Sequence, residues 1–227
     1  DGDRWLVMVH GRGASRQEFL RTLDALRDLR MPTLVVTYRN DDGAPETGDS
    51  LILAGQREWR DVEAAVDHAV AAGARDVVLV GASMGGALAL GYVMEAPDAP
   101  VAGLVLDAPL ADLRHVVGLR SGEAIPIGGP VGSSIVAVAR AITWMRTGLD
   151  FDAVDYVDRA GELDVPVLLF QGTEDRTVPY EVGTSFAAAR PDLIEFHTVS
   201  DAGHVKAWNE DPEGYRDTVV TFLERLP

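Results

Sequence analysis

Val77-Val78-Leu79-Val80-Gly81-Ala82-Ser83-Met84-Gly85-Gly86 runs from a β-branched apolar stretch straight into small residues around a single serine. The first four residues read as a short buried strand. The stretch from Met84 to Met94 reads as a helix, so the serine stands at a strand–turn–helix junction. A G-x-S-x-G match is only moderately specific, and the junction gives it its weight. At so sharp a turn, side chains two positions either side of the serine would strike adjacent backbone. Glycine at 81 and 85 relieves that clash, and Gly86 lets the helix pack closely. The Ser83 hydroxyl is thereby presented at the carboxyl end of the sheet, where open α/β sheets bind ligands. A purely structural Gly-rich turn is the competing reading of the same letters.

On either side, short β-branched runs alternate with longer amphipathic ones. Trp5–Val9, Thr33–Tyr38, Val101–Leu106, Val165–Phe170 and Ile194–Val199 read as strands. Ser15 to about Arg30 carries Phe19, Leu20, Leu23, Leu26 and Leu29 at helical spacing, with Ser15 as N-cap and Glu18 completing a capping box. Trp59–Ala72 and Pro212–Leu226 read as further helices. This alternation implies βαβ units: an α/β fold of three layers, a mostly parallel sheet of about six strands flanked by helices. Residues 112–164 break the pattern. There a Gly- and Pro-rich loop over Gly122–Gly132 precedes a helix-like stretch from Ile135 to Met145, and the segment is too long for a plain connection. It reads as a small cap inserted over one end of the sheet, within one domain spanning 1–227.

Composition narrows the function. A formal net charge of −16 repels nucleic acid and anionic membrane surfaces alike, and the arginines form no basic stripe. No apolar run is long enough to cross a bilayer. The chain has no cysteine, which excludes disulfides, thiolate metal sites and a cysteine nucleophile but leaves the cellular compartment open. It opens at Asp1 almost directly on a strand, without an initiator methionine, so a further N-terminal segment of the native protein is expected.

A serine hydroxyl is a weak nucleophile and needs a base beside it. Of the five histidines, His68 falls within a helix, His197 inside the last strand, His10 at the end of the first strand and His115 at the start of the insertion. His204 lies in the loop between the last strand and the last helix, at the same sheet end as Ser83. The imidazole in turn needs a carboxylate to set its tautomer. Asp175, just past Val165–Phe170, completes the chain order Ser, Asp, His; Glu174 and Asp107 are the competing acids. The backbone amide of Met84, after the nucleophile, and that of Arg12, in the loop His10-Gly11-Arg12-Gly13, are the expected oxyanion donors.

At these residues the chain resembles the α/β-hydrolase superfamily. It is similar to the branch of bacterial esterases, monoacylglycerol-lipase-like enzymes and serine aminopeptidases. The likeness rests on HGRG at 10–13, GASMGG at 81–86, GTEDRTVP at 172–179 and AGH at 202–204. YRND at 38–41 and EWRD at 58–61 resemble segments of uncharacterised bacterial members. The resemblance implies a cofactor-free serine hydrolase acting on small carboxylic esters, with no metal. It also implies two strands ahead of Trp5–Val9 that this chain lacks, leaving Thr33–Tyr38 as a sheet edge. Short to medium acyl chains are expected under a small cap. Ile125, Ile127, Ile135 and Trp144 of the insertion, with Trp208 beyond His204, are candidates to line the substrate pocket, and core packing accounts for them equally well. An aminopeptidase-like peptidase and a non-catalytic binding member of the fold are the rival readings.

Overall fold

The structure is a computed structural model that describes residues 3–124 and 129–227. Six strands form one sheet: β1 (Arg4–Val9), β2 (Thr33–Val36), β3 (Asp76–Ala82), β4 (Val101–Asp107), β5 (Val167–Gly172) and β6 (Ile194–Val199). Their order is β2-β1-β3-β4-β5-β6, and every pairing is parallel. The chain leaves β1 towards β2 and returns on the other side through β3. The crevice where the order reverses therefore opens outside the carboxyl ends of β1 and β3.

Side chains of the inner strands alternate between two cores, as the pleat requires. Val7, Val9, Val77, Leu79, Leu104 and Leu106 face one core with α2 (Trp59–Ala71), α3 (Met84–Glu95) and α6 (Tyr180–Ala189). Leu6, Met8, Val78, Val80 and Val105 face the other with α1 (Leu20–Leu26) and α8 (Pro212–Arg225). Burial on both faces explains why these strands read as continuous apolar runs. Strand β2 is half-buried throughout and lies at the sheet edge, as expected.

Four local readings change. Strand β2 stops at Val36, where its pairing with β1 ends at Val9, and Tyr38 lies beyond it, 1 % exposed. The stretch expected as one helix from Ser15 is α1 between two 3-10 turns, Arg16–Phe19 and Arg27–Leu29. Ser15 does cap it, accepting from the Gln17 amide, but Glu18 closes no capping box; its carboxylate accepts the Gly11 amide instead, at 2.9 Å. Finally, the described residues of the loop expected over Gly122–Gly132 are helical. Helix α4 (Leu113–Ala124) runs into it and α5 (Gly129–Thr147) starts within it. Pro130 in the first turn of α5 is compatible with helix, since its missing N–H would have had no partner there. Ile125 and Ile127 lie outside the described residues.

The acidic stretch after α5 fastens this segment. Asp152 and Asp155 hold Arg114 of α4, and Asp152 also holds Arg140 of α5 at 2.9 Å. Short α7 (Ala207–Glu210) links β6 to α8. Among the described residues no helix is long and apolar enough to cross a membrane.

Candidate active site

Ser83 occupies the turn between β3 and α3 with φ 51° and ψ −115°, a conformation L-residues rarely adopt. The turn tolerates no side chain at the flanking glycines. A Cβ on Gly85 would stand 1.9 Å from the Val9 carbonyl oxygen, and one on Gly81 would stand 2.6 Å from the Gly86 Cα. The strain is held by backbone: the Ser83 amide donates to the Asp107 backbone carbonyl (3.0 Å), and the Ser83 carbonyl accepts from the Gly86 and Leu110 amides.

Because all strands are parallel, the loops after β1, β3, β5 and β6 meet at one rim. There the Nε2 of His204 lies 2.9 Å from Ser83 Oγ, and Nδ1 lies 2.8 Å from Asp175 Oδ2. The carboxylate of Asp175 is buried, and its other oxygen accepts the amides of Thr177 (2.8 Å) and Val178 (2.9 Å). Those bonds leave the Oδ2 edge facing the imidazole. Glu174, the adjacent competitor, is exposed.

Asp107 makes no hydrogen bond to His204 among the described residues. It lines a small cavity with Arg21, Trp208 and Tyr215, and enclosure pushes its carboxyl pKa up to about 7, with Asp175 and Glu18 adding to the rise and His204 and Arg21 opposing it.

Two further residues support the group and carry no motif signal. The amide of Gln171, a fully buried residue near the end of β5, donates to Asp175 (3.2 Å) and to the Val178 carbonyl (3.0 Å). Arg21 donates to the Val205 carbonyl (3.1 Å), tying α1 to the loop that carries His204. Gln171 acts within its own strand-and-loop stretch, whereas the Arg21 contact exists only once α1 and the loop after β6, far apart in sequence, lie side by side.

A cleft of about 480 Å³ opens over Ser83. Arg12, Met84 and His204 stand at its base with Ser83, while Ile52, Leu110, Leu113, Val116, Leu149 and Phe151 supply apolar walls. No backbone carbonyl among the described residues takes the amide of Arg12 or of Met84.

Of the pocket residues expected from sequence, the three that lie among the described residues are elsewhere. Ile135 and Trp144 are 39 % and 59 % exposed, because α5 turns its apolar residues outward; Trp144 borders a separate hollow with Arg140 and Leu149. Trp208 packs in the core beside α8. Within 112–164 it is α4 and the segment after α5 that line the cleft instead.

The model of the alpha/beta hydrolase family matches residues 6–218. Among curated proteins, a 2-hydroxy-6-oxononadienedioate/2-hydroxy-6-oxononatrienedioate hydrolase of Paraburkholderia phymatum is 26 % identical over 98 % of this chain and 88 % of its own. An uncharacterised protein of Mycobacterium tuberculosis is 24 % identical over 92 % of this chain and 63 % of its own. Among solved structures, an esterase of Pyrococcus furiosus superposes with a TM-score of 0.75 at 18 % identity, covering 99 % of this chain and 84 % of that one. An esterase of Rhodococcus gives 0.66 at 22 % identity, covering 100 % and 92 %. At such identities the superpositions establish shared fold alone.

Proposed function

The chain belongs to the alpha/beta hydrolase family, and from that premise we propose that it hydrolyses carboxylic esters of short to medium acyl chain through Ser83, His204 and Asp175. The observation that carries this reading is the unbroken hydrogen-bond relay of 2.9 and 2.8 Å from hydroxyl to imidazole to buried carboxylate.

Ser83 Oγ attacks the ester carbonyl carbon while Nε2 of His204 takes its proton. Asp175 stabilises the imidazolium through Nδ1–H. The carbonyl π pair moves onto oxygen, where the amides of Met84 and Arg12 receive it; one such donor is worth about 3–4 kcal/mol in the transition state. Collapse breaks the ester C–O bond, and the leaving alkoxide takes the proton from Nε2. Water then attacks the acyl-enzyme, gives its proton to the same nitrogen, and the acid departs as Oγ recovers a proton. The whole cycle uses side chains and amides of this chain.

The apolar cleft walls suit an acyl chain, and among the described residues Arg12 is the one permanently cationic side chain lining the cleft. That favours an uncharged acyl group. The dioate in the name of the Paraburkholderia relative is a dianion, and a chain of net charge −16 with a single arginine at the cleft is poorly matched to it. A p-nitrophenyl ester series from acetate to dodecanoate tests the reading, beside amino-acid p-nitroanilides and a fluorophosphonate probe. Expected are labelling lost in Ser83→Ala and kcat/KM highest for the shorter neutral esters. Absent labelling of folded protein sinks the nucleophile assignment; faster anilide turnover makes it a peptidase.

A further inference from the structure

Two motifs take no part in this chemistry: Tyr38-Arg39-Asn40-Asp41 and Glu58-Trp59-Arg60-Asp61. Most of their polar side chains build loops. Arg39 pairs with Asp61 through Nε (2.8 Å) and Nη2 (2.9 Å). Asn40 ties residues 47 and 51 together, and buried Glu58 accepts the amides of Leu53 and Gly55 behind the cleft wall at Ile52. Tyr38 does something else, because its hydroxyl reaches the loop after β1.

We infer that Tyr38 is a positioning residue for the oxyanion-binding amide of Arg12: with the His10 ring, its hydroxyl pins the Gly11 carbonyl, which shares a peptide unit with that amide. The inference rests on the acyl-transfer reading above. The carbonyl of Gly11 accepts from Tyr38 Oη at 3.2 Å, from His10 Nδ1 at 2.9 Å and from the Ala14 amide at 3.2 Å. A trans peptide unit is planar, with C=O and N–H pointing opposite ways. The carbonyl faces two buried rings, Tyr38 and His10, that meet in a tilted contact 5.0 Å apart and do not line the cleft. The Arg12 N–H is therefore directed the other way, into the cleft that Arg12 and Ser83 share.

The loop needs this restraint. Glycine at 11 permits a peptide flip, and the backbone there runs so close to the nucleophile that a Cβ on Gly11 would meet the Ser83 Cβ at 3.2 Å. Flipped, the unit would turn a carbonyl towards the developing oxyanion. Glu18 holds the preceding amide at 2.9 Å and closes the clamp from the other side. Burial, the Asp41 carboxylate and Glu18 push the phenol pKa up, so the hydroxyl stays a donor. A donor on the carbonyl also polarises the amide beyond it, strengthening its own donation.

Tyr38→Phe keeps the ring contact with His10 and removes the hydroxyl. Loss of a whole oxyanion donor costs about 10²–10³ in kcat, and His10 remains, so the variant should lose roughly tenfold in kcat with KM within about twofold. Affinity for an alkylboronic acid, which forms a tetrahedral adduct on Ser83, should fall by the same factor. Glu18→Ala, at a half-exposed site, provides a second probe should the first variant fold poorly, and should show the same loss confined to kcat. Unchanged kcat and boronate affinity in the folded variants, with only a lower melting temperature, overturn the inference. Failure of the underlying reading is distinct, because wild type itself would then neither label with fluorophosphonate nor bind boronate.

Discussion

At the scale of single residues, the two acids near His204 show how environment divides like groups. Asp175 is met by two backbone amides, a glutamine amide and the imidazole. Asp107 is enclosed without such donors, and its pKa is raised from 3.8 to about 7. Between these values the folded state holds a proton that the unfolded chain has released, so this residue makes stability fall as pH rises from about 4 to about 7, levelling off above. The rise corresponds to at most about 4 kcal/mol. Asp107→Asn has no proton to lose. Its melting temperature, compared with wild type across that window, should gain progressively and then hold a constant advantage; parallel curves would refute the shifted pKa. Sequence order singles out Asp175 as the acid, but nothing in the letters distinguishes the two environments, since the donors come from residues 171, 177, 178 and 204.

At the scale of elements, glycines that look alike in sequence differ by what packs against them. Gly85 is pressed on the end of β1, and an alanine methyl would fall 1.9 Å from the Val9 oxygen. Gly85→Ala should cost more than about 4 kcal/mol, a large share of any domain's stability, and give insoluble or non-cooperatively melting protein. Gly118, inside α4, has open space around it. Gly118→Ala should stabilise by about 0.5–1 kcal/mol through helix propensity, read as a higher denaturant midpoint. A tolerated Gly85→Ala would mean that the turn does not press on β1. The junction at 81–86 was legible because its strand–turn–helix pattern is written in neighbouring residues, although the clash that Gly85 avoids is with distant β1. The direction of α5 was not: an apolar stretch at helical spacing reads the same whether it faces the core or, as Ile135 and Trp144 do, the outside.

At the scale of the whole molecule, the net charge of −16 sets a long-range field that no single contact reveals. Anionic esters should approach the cleft against it, and salt should relieve the repulsion over a Debye length of about 8–10 Å. Raising ionic strength should therefore increase kcat/KM for p-nitrophenyl hemisuccinate severalfold while leaving p-nitrophenyl butyrate nearly unchanged. Equal salt responses would show that the field does not reach the cleft, or that Arg12 neutralises it there. Salt should also raise the melting temperature modestly, by screening the self-repulsion of the folded chain.

By itself the sequence determined the strand and helix alternation, the junction at Ser83, the chain order of Ser83, Asp175 and His204, and the overall charge. Each is written in neighbouring residues or in composition, so short-range sterics and periodicity suffice to read it. Only the tertiary structure decided that Arg21 braces the site, that α4 walls the cleft while α5 and Trp208 do not, and that Tyr38 reaches Gly11 across 27 residues. Those outcomes depend on which strands become neighbours and which face of a helix turns inward, and parallel pairing brings together residues whose separation along the chain carries no record of it.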